Sequence, residues 1–331
     1  MQSRPFPRTS LSASAIGLGT WQLGADWGDV SEDDARAVLE ASAEAGVTFY
    51  DTADVYGDGR SEQIVGRFVA DHADDGFVVA TKMGRRLEQV SENYIELHYR
   101  TWLDRSRRNL GVDTIDLVQL HCPPSAVIDD DATYDVLDRL VTEEVIAAYG
   151  VSVETADQAL SAISRPHVAS VQIILNAFRM KPLDEVLPAA SAAGVGIIAR
   201  VPLASGLLSG KYDRDTTFAE DDHRSYNRDG SAFDVGETFS GVDYETGVDA
   251  AQEFSRIVAD SGLEDVTPAQ AALAWVCQQP GVTTVIPGAR NAEQARTNAA
   301  ADDLGPLPDA LLDDVAKLYD SRIRPQVHDR W

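Results

Sequence analysis

Lysine is nearly missing from this chain. Four residues, Lys82, Lys181, Lys211 and Lys317, accompany 24 arginines, and these 28 cations face 37 aspartates and 17 glutamates, for a formal net charge of -26 over 331 residues. A field of that sign repels phosphate backbones and anionic lipid surfaces, which excludes nucleic acid and membrane as partners. Cysteine is scarcer still. Cys122 and Cys277 are too few for a disulfide framework, and neither has metal-ligand spacing, so no metal is expected. No apolar run is long enough to span a bilayer and no signal-peptide pattern is present, so a cytoplasmic location is expected. Also lacking is any GxGxxG after a strand, which excludes a Rossmann crevice.

With 44% apolar residues the chain can still bury a core. Acids spread over the whole length beside so few lysines match a protein surface from a high-salt, halophilic cytoplasm, where repulsion is screened; the other reading is an ordinary acidic enzyme. Apolar runs of the kind that form buried parallel strands end near Thr20, Asp51, Lys82, His121, Ser152, Asn176, Arg200 and Pro287. Successive gaps are 31, 31, 39, 31, 24, 24 and 87 residues. A strand, crossover helix and loops take roughly 30 residues, so the spacing predicts eight βα units. The expected fold class is α/β, a (β/α)8 TIM barrel forming one domain over 1–331. The first fifteen residues would cap its underside, a long loop would follow strand 7, and residues 308–331 would form a helix and tail. Helix signals fall between the strand ends. Ser31 with Asp34 has capping-box spacing, Ser61 precedes the stripe Ile64, Val65, Phe68 and Val69, Val136, Leu137, Leu140 and Val141 repeat it, and Thr267 before Pro268 is a helix start.

Three of those runs carry chemistry at or just past their ends: TFYDTADVY at 48–56, FVVATK at 77–82 and DLVQLH at 116–121. They supply Asp51, Tyr56, Lys82 and His121. A tyrosine with a pKa of about 10 serves proton transfer near neutrality only if a nearby ammonium stabilises its phenolate. Lys82 is placed to be that ammonium, Asp51 to pair with it in a dry barrel mouth, and His121 to orient a carbonyl or relay a proton. Singly, Asp51 reads equally as a loop cap, Lys82 as a surface lysine and His121 as a core histidine.

Together these residues resemble the catalytic tetrad of the aldo-keto reductases, in the same order and at comparable separations, and the resemblance runs from about Ile16 to Ala301. It implies a soluble NAD(P)H-dependent oxidoreductase acting on a small-molecule carbonyl (aldehyde, ketone or sugar), with Tyr56 as proton donor. It also implies cofactor contacts. Ser152 and Gln172 match the positions that bind the nicotinamide carboxamide, although Gln172 also reads as a residue facing the barrel interior. IIARVPLASGLLSGKY at 197–212 places Leu203, Ser205, Gly206 and Lys211 in a small-residue loop suited to a pyrophosphate. Arg200 stands where many members stack an aromatic ring on the nicotinamide; a guanidinium plane can stack, or it can pair with an acid. VIPGARNAEQARTN at 285–298 offers Gly288, Arg290, Gln294 and Asn298 to the adenosine end, with Asn291 as a helix cap. Arg290 facing a 2′-phosphate favours NADP(H), with NAD(H) possible; the alternative places its guanidinium on adenine or in solvent. Trp21 and Trp331 line the substrate side or simply pack. The polar stretch from Asp213 to Gly247, preceding a helix from about Val248, is expected to fold over the cofactor or the pocket. Two other classes stay open: a cofactor-binding regulatory subunit like the potassium-channel β subunits, and a barrel lyase or isomerase.

Overall fold

A computed structural model of the chain describes residues 1–24 and 30–331. An antiparallel hairpin, β1 (Ser3–Pro5) and β2 (Ser12–Ser14), precedes eight parallel strands: β3 (Leu18–Gly19), β4 (Phe49–Asp51), β5 (Val78–Met83), β6 (Ile115–His121), β7 (Ile146–Ser152), β8 (Ser170–Ile174), β9 (Gly196–Arg200) and β10 (Val282–Val285). Neighbours in sequence are neighbours in the sheet, and bridges from Ile16 to Val285 and from Gly19 to Gly288 close it into a barrel. Helices cover the outside, as the βα spacing requires.

The interior is built by strand alternation, because successive side chains point to opposite faces. Phe49, Ala80, Leu117, Ala148 and Ile198 share an apolar floor with Phe6 of the hairpin turn, whose ring centroid lies 5.8 Å from that of Phe49. The N-terminal segment therefore plugs the underside, as expected. Two residues further along the same strands stand Asp51, Lys82, Gln119 and Arg200, so the polar layer lies one pleat above the floor. His121 and Ser152 form the next layer, opposite each other across β6 and β7. Strand alternation thus carries the chemistry to the C-terminal mouth.

Most helix starts agree with the sequence signals. Ser31 caps Glu32–Glu44, Thr267 closes a capping box on Pro268–Cys277, and Asn291 caps Ala292–Ala299. Two differ. Arg60–Asp71 begins one residue before Ser61 with Gly59 at its cap, because the Ser61 hydroxyl is engaged by Thr20 and Thr52 at 2.8 and 2.9 Å. Tyr244–Asp260 begins before Val248, because the Asp243 side chain caps it there. The C-terminal portion forms Asp309–Leu318 and shorter turns ending at Trp331. Among the described residues no helix is long and apolar enough to cross a membrane.

Candidate active site

A cavity of about 870 Å³ opens at the barrel mouth. Its floor is the polar layer. Lys82, 1% exposed, donates to Asp51 Oδ1, to the Thr52 carbonyl at 2.9 Å and to Tyr56 Oη at 3.3 Å. The other Asp51 oxygen, Oδ2, accepts from Gln119 at 3.1 Å and Gln172 at 2.8 Å. A buried ion pair is held only if its remaining valences are met, and these two amides meet them. Tyr56 reaches in from the loop after β4. Gly57 makes that loop possible: its φ is 57°, and a Cβ there would lie 2.1 Å from the Gly24 carbonyl oxygen.

Electrostatics divide the roles. Burial lowers the Lys82 ammonium's pKa, but Asp51 and Tyr56 outweigh that and leave it above its ordinary value. Tyr56 departs from the sequence expectation. Burial raises its pKa by more than Lys82 lowers it, so the phenol sits above its ordinary value and keeps its proton. His121, whose ring centroid is 6.1 Å from that of Tyr56, lies well below the usual imidazole range because of burial first, then Arg85, Lys82 and Arg200. It is a neutral imidazole, and its Nδ1 is buried without a hydrogen-bond partner among the described residues.

The structure brings the sequence candidates together. Asp51, Tyr56 and His121 line the cavity, with Lys82 directly beneath Tyr56. So do Ser152 and Gln172, although Gln172 already spends its amide nitrogen on Asp51 and Gln119. Leu203, Ser205, Gly206 and Lys211 line the wall after β9, where the Ser205 hydroxyl bonds the Glu237 carbonyl and the Phe239 amide, both at 3.0 Å. Gly288, Arg290, Gln294 and Asn298 form the far end. Gln294 Oε1 accepts from the Arg290 amide at 2.9 Å, Asn298 Nδ2 donates to the Gly288 carbonyl at 3.1 Å, and Arg290 lies 3.7 Å from Asp222. Trp21 stacks on Tyr56 with centroids 5.8 Å apart, at the cavity wall. Trp331 packs instead: Arg179 lies over its ring at 3.8 Å and its Nε1 donates to Asp234.

Arg200 takes the second of its two readings in this geometry. It pairs with Glu154 at 2.9 Å and Glu237 at 2.5 Å, and these acids hold its pKa well above the ordinary guanidinium value despite burial. Glu237 belongs to the 213–247 stretch, which lines the mouth through His223, Arg224, Phe233 and Glu237. Asn176 ties this loop down, donating to the Val201 carbonyl at 2.9 Å and Ser240 Oγ at 2.8 Å. Burial pushes the adjacent Cys122 thiol up to about 12, which leaves it protonated, a buried strand-end thiol behind the residues that line the cavity. Sequence reasoning missed Gln119, Glu154, Arg85 and Glu237. Gln119 and Glu154 were findable, two residues from His121 and Ser152 on the inward-facing alternation. Arg85 and Glu237 come from irregular loops and carried no periodic signal.

A barrel with a tyrosine, lysine, aspartate and histidine at one mouth defines a class of oxidoreductase scaffold, and comparison with known proteins agrees. The Aldo/keto reductase family profile matches residues 15–320, and the chain belongs to that family. It is 33% identical over 300 residues to an uncharacterized oxidoreductase of Mycobacterium bovis, covering 88% of this chain and 85% of the relative. A probable voltage-gated potassium channel β subunit of Oryza sativa is 30% identical over 326 residues, covering 93% of each. Among solved structures, the glycerol dehydrogenase AKR11B4 of Gluconobacter oxydans superposes with a TM-score of 0.76 at 30% identity, covering 98% of this chain and 96% of that one. An aldo-keto reductase of Klebsiella pneumoniae in complex with NADPH superposes at 0.70 with 25% identity, covering 98% and 99%.

Proposed function

We propose that this protein is a cytoplasmic, NAD(P)H-dependent carbonyl reductase in which Tyr56 is the proton donor. The observation that carries this reading is the chain Asp51, Lys82, Tyr56 at the cavity floor with a neutral His121 beside it. The elongated cavity suits a nicotinamide dinucleotide: it runs from Tyr56 to a far end lined by Gly288, where an added Cβ would lie 2.2 Å from the Gln22 side chain. The family neighbour solved with NADPH supports the same cofactor class. Ser152 and Gln172 would hold the carboxamide, Leu203 to Gly206 and Lys211 the pyrophosphate, and Arg290, Gln294 and Asn298 the adenosine, with Arg290 favouring NADPH. Arg200, committed to two carboxylates, would border the nicotinamide rather than stack freely on it.

The cofactor, when bound, supplies hydride to the carbonyl carbon. The protein's own residues manage the oxygen. A protonated Tyr56 donates to the oxygen as negative charge develops there, and Lys82, fixed by Asp51, stabilises the phenolate left behind. His121 is neutral and positions the carbonyl oxygen without carrying charge. Gln119 and Gln172 hold Asp51 in place. The aromatic wall of Trp21 and Phe233 sheds water from this step.

The whole chain would work as one domain, with its acidic surface adapted to a high-salt cytoplasm. A second reading, a cofactor-binding regulatory subunit, is favoured by one observation, the 30% identity to a potassium channel β subunit. The test is to titrate NADPH and NADH by quenching of tryptophan fluorescence, then follow nicotinamide absorbance with aldehydes, ketones and sugars in molar KCl. Binding with turnover is expected. Binding without turnover favours the regulator, and no binding of either nucleotide removes both readings.

A further inference from the structure

The loop that carries Tyr56 into the cavity has an uncommon backbone. Gly57, Asp58 and Gly59 adopt φ values of 57°, 51° and 93°, three left-handed residues in succession. Glycine takes that conformation freely, and these two have no room for a side chain: a Cβ on Gly59 would lie 2.5 Å from Asn109 Nδ2. Asp58 differs, because a residue with a Cβ is strained there. It is also the only residue between Tyr56 and the helix Arg60–Asp71 that offers a side chain to grip. Two arginines grip it. Arg86 reaches Asp58 Oδ1 at 2.8 Å and, with its other terminal nitrogen, donates to the Asp54 carbonyl at 3.1 Å. Arg105, from the helix Glu96–Leu110, donates to Asp58 Oδ1 at 2.9 Å and to the Asp58 carbonyl. Arg86 therefore straddles Tyr56, holding the chain two residues before it and two residues after it.

Resting on Tyr56 as the proton donor, we propose that Arg86 and Asp58 are positioning residues that hold its phenol over Lys82. Strand β5 delivers both parts of the device: Lys82 lies on the strand beneath the phenol, and Arg86 follows three residues past the strand's end at Met83. Arg86 and Asp58 lie off the cavity lining, so they act through Tyr56 and touch no substrate. The contact they protect has little margin. Tyr56 Oη and Lys82 Nζ are 3.3 Å apart, at the long end of a hydrogen bond, so an outward drift of roughly half an ångström breaks it. The ammonium then no longer stabilises the phenolate. Folding stability gains little from the staple, because the Asp58 side chain is 77% exposed and a solvated ion pair contributes little. What two arginines and two hydrogen bonds to carbonyls fix is a geometry, the angle at which the loop presents Tyr56.

The test is single-turnover reduction of glyceraldehyde by NADPH-loaded protein for Arg86→Met, Arg86→Lys and Asp58→Gly, each in the wild-type and the Tyr56→Phe background. The phenol's position is read separately, from the fluorine resonance of fluorotyrosine-labelled protein that disappears in Tyr56→Phe. Arg86→Met should slow hydride transfer roughly 10- to 10²-fold with NADPH affinity unchanged, the cost of a reacting group displaced by about an ångström. Its Tyr56 resonance should shift or broaden. Arg86→Lys should keep part of the rate, having the charge without the planar fork that spans both groups. Asp58→Gly separates geometry from stability: glycine suits the backbone there, so the melting temperature should hold while the rate falls. In the Tyr56→Phe background the same substitutions should cost less than about twofold, because the group they position is gone. Melting curves and NADPH titrations identify any variant that has not folded, and Asp58→Gly decides the question if Arg86→Met is lost. Full rates in the folded variants, an unmoved resonance, or equal slowing in both backgrounds would overturn the proposal. A Tyr56→Phe protein as fast as wild type would sink the proton-donor reading instead, and the resonance would still decide whether Arg86 holds the phenol.

Discussion

At the scale of single residues, environment decides which protons move. Asp54, three residues beyond Asp51, is fully buried with both carboxylate oxygens unpartnered among the described residues. Burial and Glu62 push its pKa up to about 7 against the opposing pull of Arg86, Arg105 and Lys82. Its unfolded value is about 3.9, so the folded state holds this proton more tightly and stability falls as pH rises from about 4 to about 7. Asp54→Asn cannot ionise. The variant should gain up to about 4 kcal/mol relative to wild type in denaturation at pH 8, with the gain shrinking toward pH 4; an equal difference at both pH values would contradict this origin. The proposed catalytic pair, His121 and Tyr56, carries a second pH dependence. His121 sits well below the imidazole range and Tyr56 above the phenol range, so neither titrates between about pH 6.5 and 9. Reduction kcat should be flat across that window, and a His121-dependent inflection near neutrality, one abolished in His121→Asn, would refute the neutral imidazole.

At the scale of elements, the 213–247 loop is the part that connects site and surface. It delivers Glu237 to Arg200, anchors through Asn176 and Ser240, and is braced from outside by the C-terminal turn, where Trp331 holds Arg179 and Asp234. If it covers a bound dinucleotide, saturating NADPH should slow proteolysis within 213–247 by on the order of tenfold, through ligand-linked closure. Trp331→Ala should speed cleavage there, since the stacked guanidinium loses a contact of about 1 kcal/mol. Cleavage indifferent to NADPH would mean the loop is not a cover. This loop also marks where sequence stopped being legible. Asp51, Lys82 and His121 were readable because each ends an apolar strand and strand ends recur with the βα period. Arg200's partner was not, because Glu237 lies 37 positions away in a stretch with no periodicity. The direction of Tyr56's pKa was missed for a related reason. The nearby ammonium was visible in sequence, whereas the larger effect, burial, depends on the assembled mouth.

At the scale of the whole molecule, the proposed function sets an acidic chain against a site that would receive an anionic cofactor. A net charge of -26 with four lysines gives strong self-repulsion, and two of the four, Lys82 and Lys211, stand at the cavity, with Arg85, Arg224 and Arg290 also on its walls. Local cations oppose the global field where the nucleotide would bind. Under the high-salt reading, dialysing away molar KCl should lower the melting temperature and collapse the ellipticity, because screening by salt is lost. Full stability at low ionic strength would mark an ordinary acidic enzyme.

In the proposed reaction Tyr56 delivers the proton that accompanies hydride transfer. The most direct test is single-turnover reduction of glyceraldehyde by NADPH-loaded wild type and Tyr56→Phe, followed at the nicotinamide absorbance band with NADPH affinity measured in parallel. Loss of a positioned general acid costs on the order of 10² to 10⁴ in rate, so the variant should fall by that factor while binding NADPH as wild type does. A Tyr56→Phe protein that transfers hydride at near wild-type rate would show that the proton comes from elsewhere.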